Sequence, residues 1–124
     1  EYNTLQPLGV EFHIMGTGFT WETQNRQADI EAATVVWQES KRMLADAHYD
    51  LVVLDELTYM LAYHYLDTQE VISAIENRPA GQSVIVTGRG CHTLLLELAD
   101  TVSEIRPVKH AFDRGIQAQI GIDW

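Results

Sequence analysis

Apolar positions along the chain alternate between short uninterrupted runs and longer stretches of helical period. Residues 10–15, Val-Glu-Phe-His-Ile-Met, read as a short strand. Gly16-Thr17-Gly18 and a polar-aromatic loop through residue 26 follow it. Over residues 27–47 the period becomes helical. Ile30, Ala33, Trp37 and Leu44 fall near one face, with Glu31, Glu39, Lys41 and Arg42 largely elsewhere.

Leu51-Val52-Val53-Leu54 is an unbroken aliphatic run, the pattern of a parallel strand buried on both faces, and it ends abruptly at Asp55-Glu56. An apolar-aromatic segment over residues 57–66 precedes Asp67-Thr68-Gln69-Glu70. There Asp67 can cap a helix and Glu70 can reach back to its first amide. That helix should stop before Pro79. Ser83-Val84-Ile85-Val86-Thr87 reads as a second buried strand, Gly88-Arg89-Gly90 as a turn, residues 92–99 as a helix and residues 101–105 as a last short strand.

Strands alternating with helices across short connections predict a single α/β domain over residues 1–124. Its expected form is three-layered, a mostly parallel sheet flanked by helices. Ligands of such sheets gather at the carboxyl ends of the strands. The loops of interest are therefore residues 16–26, 55–56 and 87–92. Residues 106–124 have little periodicity and read as a flap or an extended arm.

Composition narrows the classes. The chain has 124 residues, 46% of them hydrophobic, enough for one core. Eighteen acidic against eight basic residues give a net charge of −10, which disfavours bulk binding to nucleic acid or anionic membrane. An anionic ligand needs a local site. No apolar run approaches the ~20 residues of a membrane helix, and a single cysteine, Cys91, has no internal disulfide partner. A cytoplasmic protein is the expectation. His13, His48, His64, His92 and His110 show no i, i+4 pairing, so a zinc site is not expected. Tyr59, Met60, Tyr63 and Leu66 form a stripe at helical spacing that reads as core. Burial is the expected state of Cys91, and solvation that of Lys109 and His110.

Two features carry candidate chemistry. Residues 51–56 have the hhhhDE form of a Walker B segment, in which a strand holds carboxylates rigidly where they bind Mg2+ or orient a nucleophile. Acidic residues after a strand also cap the next helix, and the pattern alone does not separate the two readings. No G-x-x-x-x-G-K-[ST] phosphate loop accompanies the pair. The second feature is Phe19 and Trp21, two large aromatics at alternate positions in a polar loop. They either fold back over the core or cover a flat apolar ligand such as a macrocycle.

Four segments together, Gly18-Phe19-Thr20-Trp21-Glu22-Thr23-Gln24-Asn25-Arg26, Val52-Val53-Leu54-Asp55-Glu56-Leu57-Thr58-Tyr59, Val86-Thr87-Gly88-Arg89-Gly90-Cys91-His92 and Glu104-Ile105-Arg106-Pro107-Val108-Lys109-His110-Ala111-Phe112-Asp113, resemble the P-loop type of bacterial ATP:corrinoid adenosyltransferase. The resemblance runs in order along essentially the whole chain. It implies a RecA-like P-loop NTPase fold and an enzyme of cobalamin biosynthesis that transfers the 5′-deoxyadenosyl group of ATP to the cobalt of a reduced corrinoid, with a reduced flavoprotein as electron donor. Carried over by position, it implies that Phe19 and Trp21 displace the axial ligand of cobalt. Glu56 ligates Mg2+ at the triphosphate with Asp55 as the supporting acid, and Thr87, Gly88 and Arg89 lie beside the nucleotide, Arg89 neutralising phosphate charge.

The sequence also departs from that pattern. The family opens with a strand, a phosphate loop and its helix, whereas this chain begins at Glu1 beyond all three, as roughly the latter two-thirds of a larger domain would. The expectation is poor catalysis by this polypeptide alone and pairing of exposed sheet edges or helices across a homodimer. The alternative is a non-catalytic corrinoid-binding, nucleotide-binding or dimerising module.

Overall fold

The computed structural model, which describes residues 2–14 and 25–121, pairs the two most aliphatic runs of the chain as parallel strands. In β1 (Leu51–Leu54) and β2 (Ser83–Val86), Leu51 lies opposite Ser83 and Leu54 opposite Val86. Parallel neighbours need a long return path, provided here by α3 (Leu57–Ala62) and α4 (Thr68–Glu76). The strand pair is preceded by α2 (Arg26–Ala45) and followed by α5 (Thr93–Leu98). A short α1 (Tyr2–Leu5) runs into a 3-10 turn at Gln6–Leu8, and a second 3-10 turn spans Phe112–Arg114.

Helix starts follow local chemistry. The Asn25 side-chain oxygen accepts from the Ala28 amide at 3.1 Å to open α2, and the Asp67 carboxylate accepts from the Glu70 amide at 2.8 Å to open α4. The Asp67 cap is the expected one. Glu70 does not complete the reciprocal bond; its carboxylate instead takes Lys41 of α2, joining two helices that already pack together. Helix α4 ends at Glu76, ahead of Pro79, where Arg78 donates to the carbonyls of Ile75 and Gln82, each at 2.9 Å.

One apolar cluster holds these elements together: Trp37 and Leu44 from α2, Val52 and Leu54 from β1, Leu57 and Leu61 from α3, Val71, Ile72 and Ile75 from α4, and Leu95 from α5. The buried Gln82 carboxamide fastens the start of β2 to the end of α2, donating to the carbonyls of Met43 at 3.0 Å and Asp46 at 3.1 Å. At the amino end, Glu11 ties its segment to the rest by accepting from the Tyr49 hydroxyl and pairing with Arg42 and His13.

The architecture is α/β with a two-stranded parallel sheet, and it corrects three expectations. The strands are not buried on both faces. Burial alternates along β1, and Leu51, Val53 and Ile85 stay 49%, 54% and 48% exposed, because α2, α3, α4 and α5 all join the cluster on the Val52–Leu54 side. Residues 10–14 form no strand, and Met15 lies outside the described residues. The Val10 amide instead turns back to the Leu5 carbonyl. Residues 101–105 are exposed and belong to no ladder among the described residues. In both stretches the side-chain pattern suits a strand, yet a strand exists only where a neighbour takes its backbone groups, and no described residues do so. No helix among the described residues is long and apolar enough to cross a membrane.

The two faces of β1 should respond differently to substitution. Leu54→Ala, removing a side chain 7% exposed on the packed face, is expected to cost about 2–5 kcal/mol in urea unfolding. Val53→Thr, on the open face, is expected to cost under ~1 kcal/mol, and a large loss there would show that the face is covered in solution.

Candidate functional site

Because β1 and β2 run parallel with Leu54 paired to Val86, both chains leave the sheet at the same end and side by side. Asp55 and Glu56 therefore emerge next to Thr87, Gly88 and Arg89, as the spacing of the two motifs predicts. The Thr87 amide extends the ladder by one bond to the Leu54 carbonyl at 3.2 Å. Its hydroxyl then does two things: it donates to Asp55 Oδ1 and accepts from the Glu56 amide at 3.0 Å.

Glu56 occupies the N-cap position of α3, with φ 58° and ψ 19° in the left-handed region, and its side chain makes no capping bond. A non-glycine residue there costs on the order of 1 kcal/mol. The strain is met by the Thr87 bond to its amide and by burial of Leu57 and Leu61 just beyond. The carboxylate of Glu56 is exposed and not consumed by the helix start.

Gly88 requires its lack of a side chain. Its φ is +131°, and a Cβ would lie 1.9 Å from Thr58 Oγ1. Thr58, only 3% exposed, donates from that oxygen to the Arg89 carbonyl at 2.9 Å. The motifs did not single out Thr58; the signal was a lone hydroxyl within the apolar stretch Leu57-Thr58-Tyr59-Met60-Leu61. Arg89 is exposed.

Cys91 is exposed rather than buried, since the turn lifts it off the core before α5 begins; partial desolvation still pushes its thiol pKa up, so the helix start does not activate it. Tyr59, Tyr63 and Tyr65 form an aromatic group, with Tyr63 half exposed where core was expected. Arg26 closes it, donating to the Tyr63 carbonyl at 2.8 Å and lying 5.1 Å from the Tyr65 ring centre. Burial, with Tyr65 and Tyr63 beside it, pushes the Tyr59 hydroxyl up to about 12. An open depression of about 560 Å³ lies between the α3–α4 connection and α5, lined by His64, Asp67, Gln69 and His92 among others. None of the described residues among the predicted site lines it. Phe19 and Trp21 lie outside the described residues.

The strand-end group suits a hard divalent cation shared with a phosphate ligand. Among the described residues no three acidic, histidine or cysteine side chains form a metal cluster, so these residues offer no full cage. Mg2+ is commonly held by one or two carboxylates plus substrate phosphates and water, which is what Asp55 and Glu56 can supply.

The family model described as ATP:corrinoid adenosyltransferase BtuR/CobO/CobP matches residues 1–124. The chain belongs to this adenosyltransferase family. It is 67% identical over 124 residues to corrinoid adenosyltransferase CobA of Salmonella typhimurium and 64% identical over 124 residues to corrinoid adenosyltransferase of Escherichia coli K12. It covers 63% of the length of each. A corrinoid adenosyltransferase of Pseudomonas aeruginosa is 50% identical over 118 residues, which is 95% of this chain and 58% of that protein. This adenosyltransferase chain thus spans less than two-thirds of the curated relatives it matches.

The backbone at the site predicts opposite stability effects at two neighbouring positions. Glu56→Gly should be as stable as the parent chain, or up to about 1 kcal/mol more stable, because glycine accepts the left-handed conformation. Gly88→Ala should lose about 1–3 kcal/mol through collision with Thr58. Urea denaturation followed by circular dichroism checks both, and a stable Gly88→Ala would contradict the packing described.

Proposed function

We propose that this chain is the part of a corrinoid adenosyltransferase that carries the strand-end carboxylates and the aromatic loop, in an enzyme moving the 5′-deoxyadenosyl group of ATP to cobalt of a corrinoid. Family membership over residues 1–124 is the observation that carries the reading. The exposed aliphatic face formed by Leu51, Val53 and Ile85 supports a further layer on the sheet, as in a RecA-like P-loop NTPase of three layers. Residues 106–121, all exposed, are consistent with an arm that packs only in the assembled protein.

The reaction has two stages. One electron from a reduced flavoprotein converts Co(II) of the corrinoid to Co(I). The Co(I) electron pair then attacks C5′ of ATP, forming the cobalt–carbon bond as the C5′–O bond breaks and triphosphate departs. Reduction is difficult while an axial ligand remains on cobalt. Phe19 and Trp21 supply an apolar wedge that binds the ligand-free form better than the ligated one, and that preference is spent on the difficult step.

At the other end, Glu56 and Asp55 would hold Mg2+ beside the triphosphate, where the ion would supply neutralising charge for the leaving group. The Asp55 carboxylate is oriented by the Thr87 hydroxyl. Gly88 lets the turn approach α3 closely, and Arg89 adds a cation for phosphate. The enzyme works in the cytoplasm and as a homodimer; the unpaired sheet edges and exposed aliphatics support the second of these.

The test is to add cob(II)alamin to the chain with and without MgATP and record electron paramagnetic resonance and visible spectra. A four-coordinate cobalt signal is expected with MgATP, reduced at least about tenfold in Phe19→Ala or Trp21→Ala. Its absence from the parent chain would refute corrinoid binding by these residues.

A further inference from the structure

Three polar groups, one amide and two hydroxyls, continue the β1–β2 ladder beyond the last strand residues. The first is the Thr87 amide to the Leu54 carbonyl, the second the Thr87 hydroxyl between Asp55 and the Glu56 amide, and the third the Thr58 hydroxyl to the Arg89 carbonyl. The third is the only one made from inside the core. Thr58 is 3% exposed, follows Glu56 by two residues on α3, and meets a turn 31 positions away in sequence. The contact is close enough that residue 88 has no room for a Cβ, which would sit 1.9 Å from Thr58 Oγ1 and 3.1 Å from Thr58 Cβ.

From this geometry we infer that Thr58 is a positioning residue: its hydroxyl fixes the Gly88–Arg89 turn against α3 and so sets the placement of Arg89 relative to the Glu56 carboxylate. The inference rests on the proposed function for the role of that pair, a carboxylate holding Mg2+ and a guanidinium facing the same triphosphate. Helix α3 carries both Glu56 and Thr58, so a shift of the helix moves carboxylate and turn together and preserves their separation. A valine in place of Thr58 keeps the shape and the methyl groups but removes the only proton the Arg89 carbonyl receives from α3. A serine keeps the proton. Electrostatic placement of this kind is sensitive to displacements of about an ångström, which makes the hydroxyl matter more for binding than its share of stability.

Two readouts on the full chain separate this role from a structural one. The sole cysteine, Cys91, lies two residues beyond Arg89 and is exposed, so its rate of reaction with a thiol reagent at fixed pH reports the turn without any ligand. Calorimetric titration with magnesium tripolyphosphate reports the pair. Thr58→Val is expected to change the labelling rate severalfold and to weaken tripolyphosphate binding about tenfold. Thr58→Ser is expected to restore both to within about twofold of the parent. Circular dichroism of Thr58→Val should show the parent's helix content. If Thr58→Val matches the parent in binding, or if Thr58→Ser fails to restore it, the positioning role is overturned while the proposed function stands. If the parent chain itself does not bind magnesium tripolyphosphate, the proposed function's metal and phosphate assignments fail first, and the role of Thr58 fails with them.

Discussion

Leu54 pairs with Val86 in parallel register, and the positions of all the strand-end groups depend on that pairing. In a parallel pair the side-chain alternation has a period of two. A slip of one residue would move Val52 and Leu54 off the helical cluster and separate Thr87 from Asp55 and the Glu56 amide. Burial on one face therefore selects the same register that assembles the site on the end of the sheet. The Gln82 carboxamide, bonded to the end of α2, reinforces it from the opposite end of β2. Core packing and site assembly are one constraint here, which explains how a sheet of two strands can hold five strand-end positions in order.

The second consequence is the sharp entry into α3. A strand that ends in a helix after two residues has to reverse direction immediately, and the left-handed backbone of Glu56 makes that turn. Glycine would do so without strain. Keeping a carboxylate there costs stability, offset by the Thr87 bond and by the buried leucines that follow. Strained conformations of this sort gather where a side chain has a chemical task. The opposite choice is made across the gap, where Gly88 gives up a side chain so that the turn can touch Thr58. One position retains a side chain against its backbone preference and the other forgoes one for close approach.

Helices α2, α4 and α5 were readable in the sequence because their signals are local, whereas the short α1 was not. The 3.6-residue period of Ala33, Trp37 and Leu44 and the Asp67 cap lie within a few residues of the structure they specify. Strand existence was readable for Leu51-Val52-Val53-Leu54 and Ser83-Val84-Ile85-Val86, but their environment was not. An unbroken aliphatic run does not say which face meets a neighbour, and residues 10–14 and 101–105 show that a strand-like pattern without a partner stays a loop. The same division holds at the site. Asp55-Glu56 and Thr87-Gly88-Arg89 are contiguous motifs and were visible. The Thr58 contact joins positions 31 apart in sequence and became visible only once the register was known. The Glu56 backbone conformation likewise follows from how α3 packs, and no residue type at that position announces it.

Charge decides what the strand ends can accept. The described strand-end residues are two carboxylates, Asp55 and Glu56, against one guanidinium, Arg89, on a chain of net charge −10. An anion brought to that edge alone meets more negative than positive charge. Under the proposed function a divalent cation would reverse the balance: the carboxylate pair with Mg2+ would be neutral, and Arg89 would then contribute a net positive charge. Such a role needs carboxylates that the helix start does not use, and Glu56 makes no capping bond to α3. Its left-handed backbone turns the chain without using the side chain, so the fold and an available carboxylate are compatible.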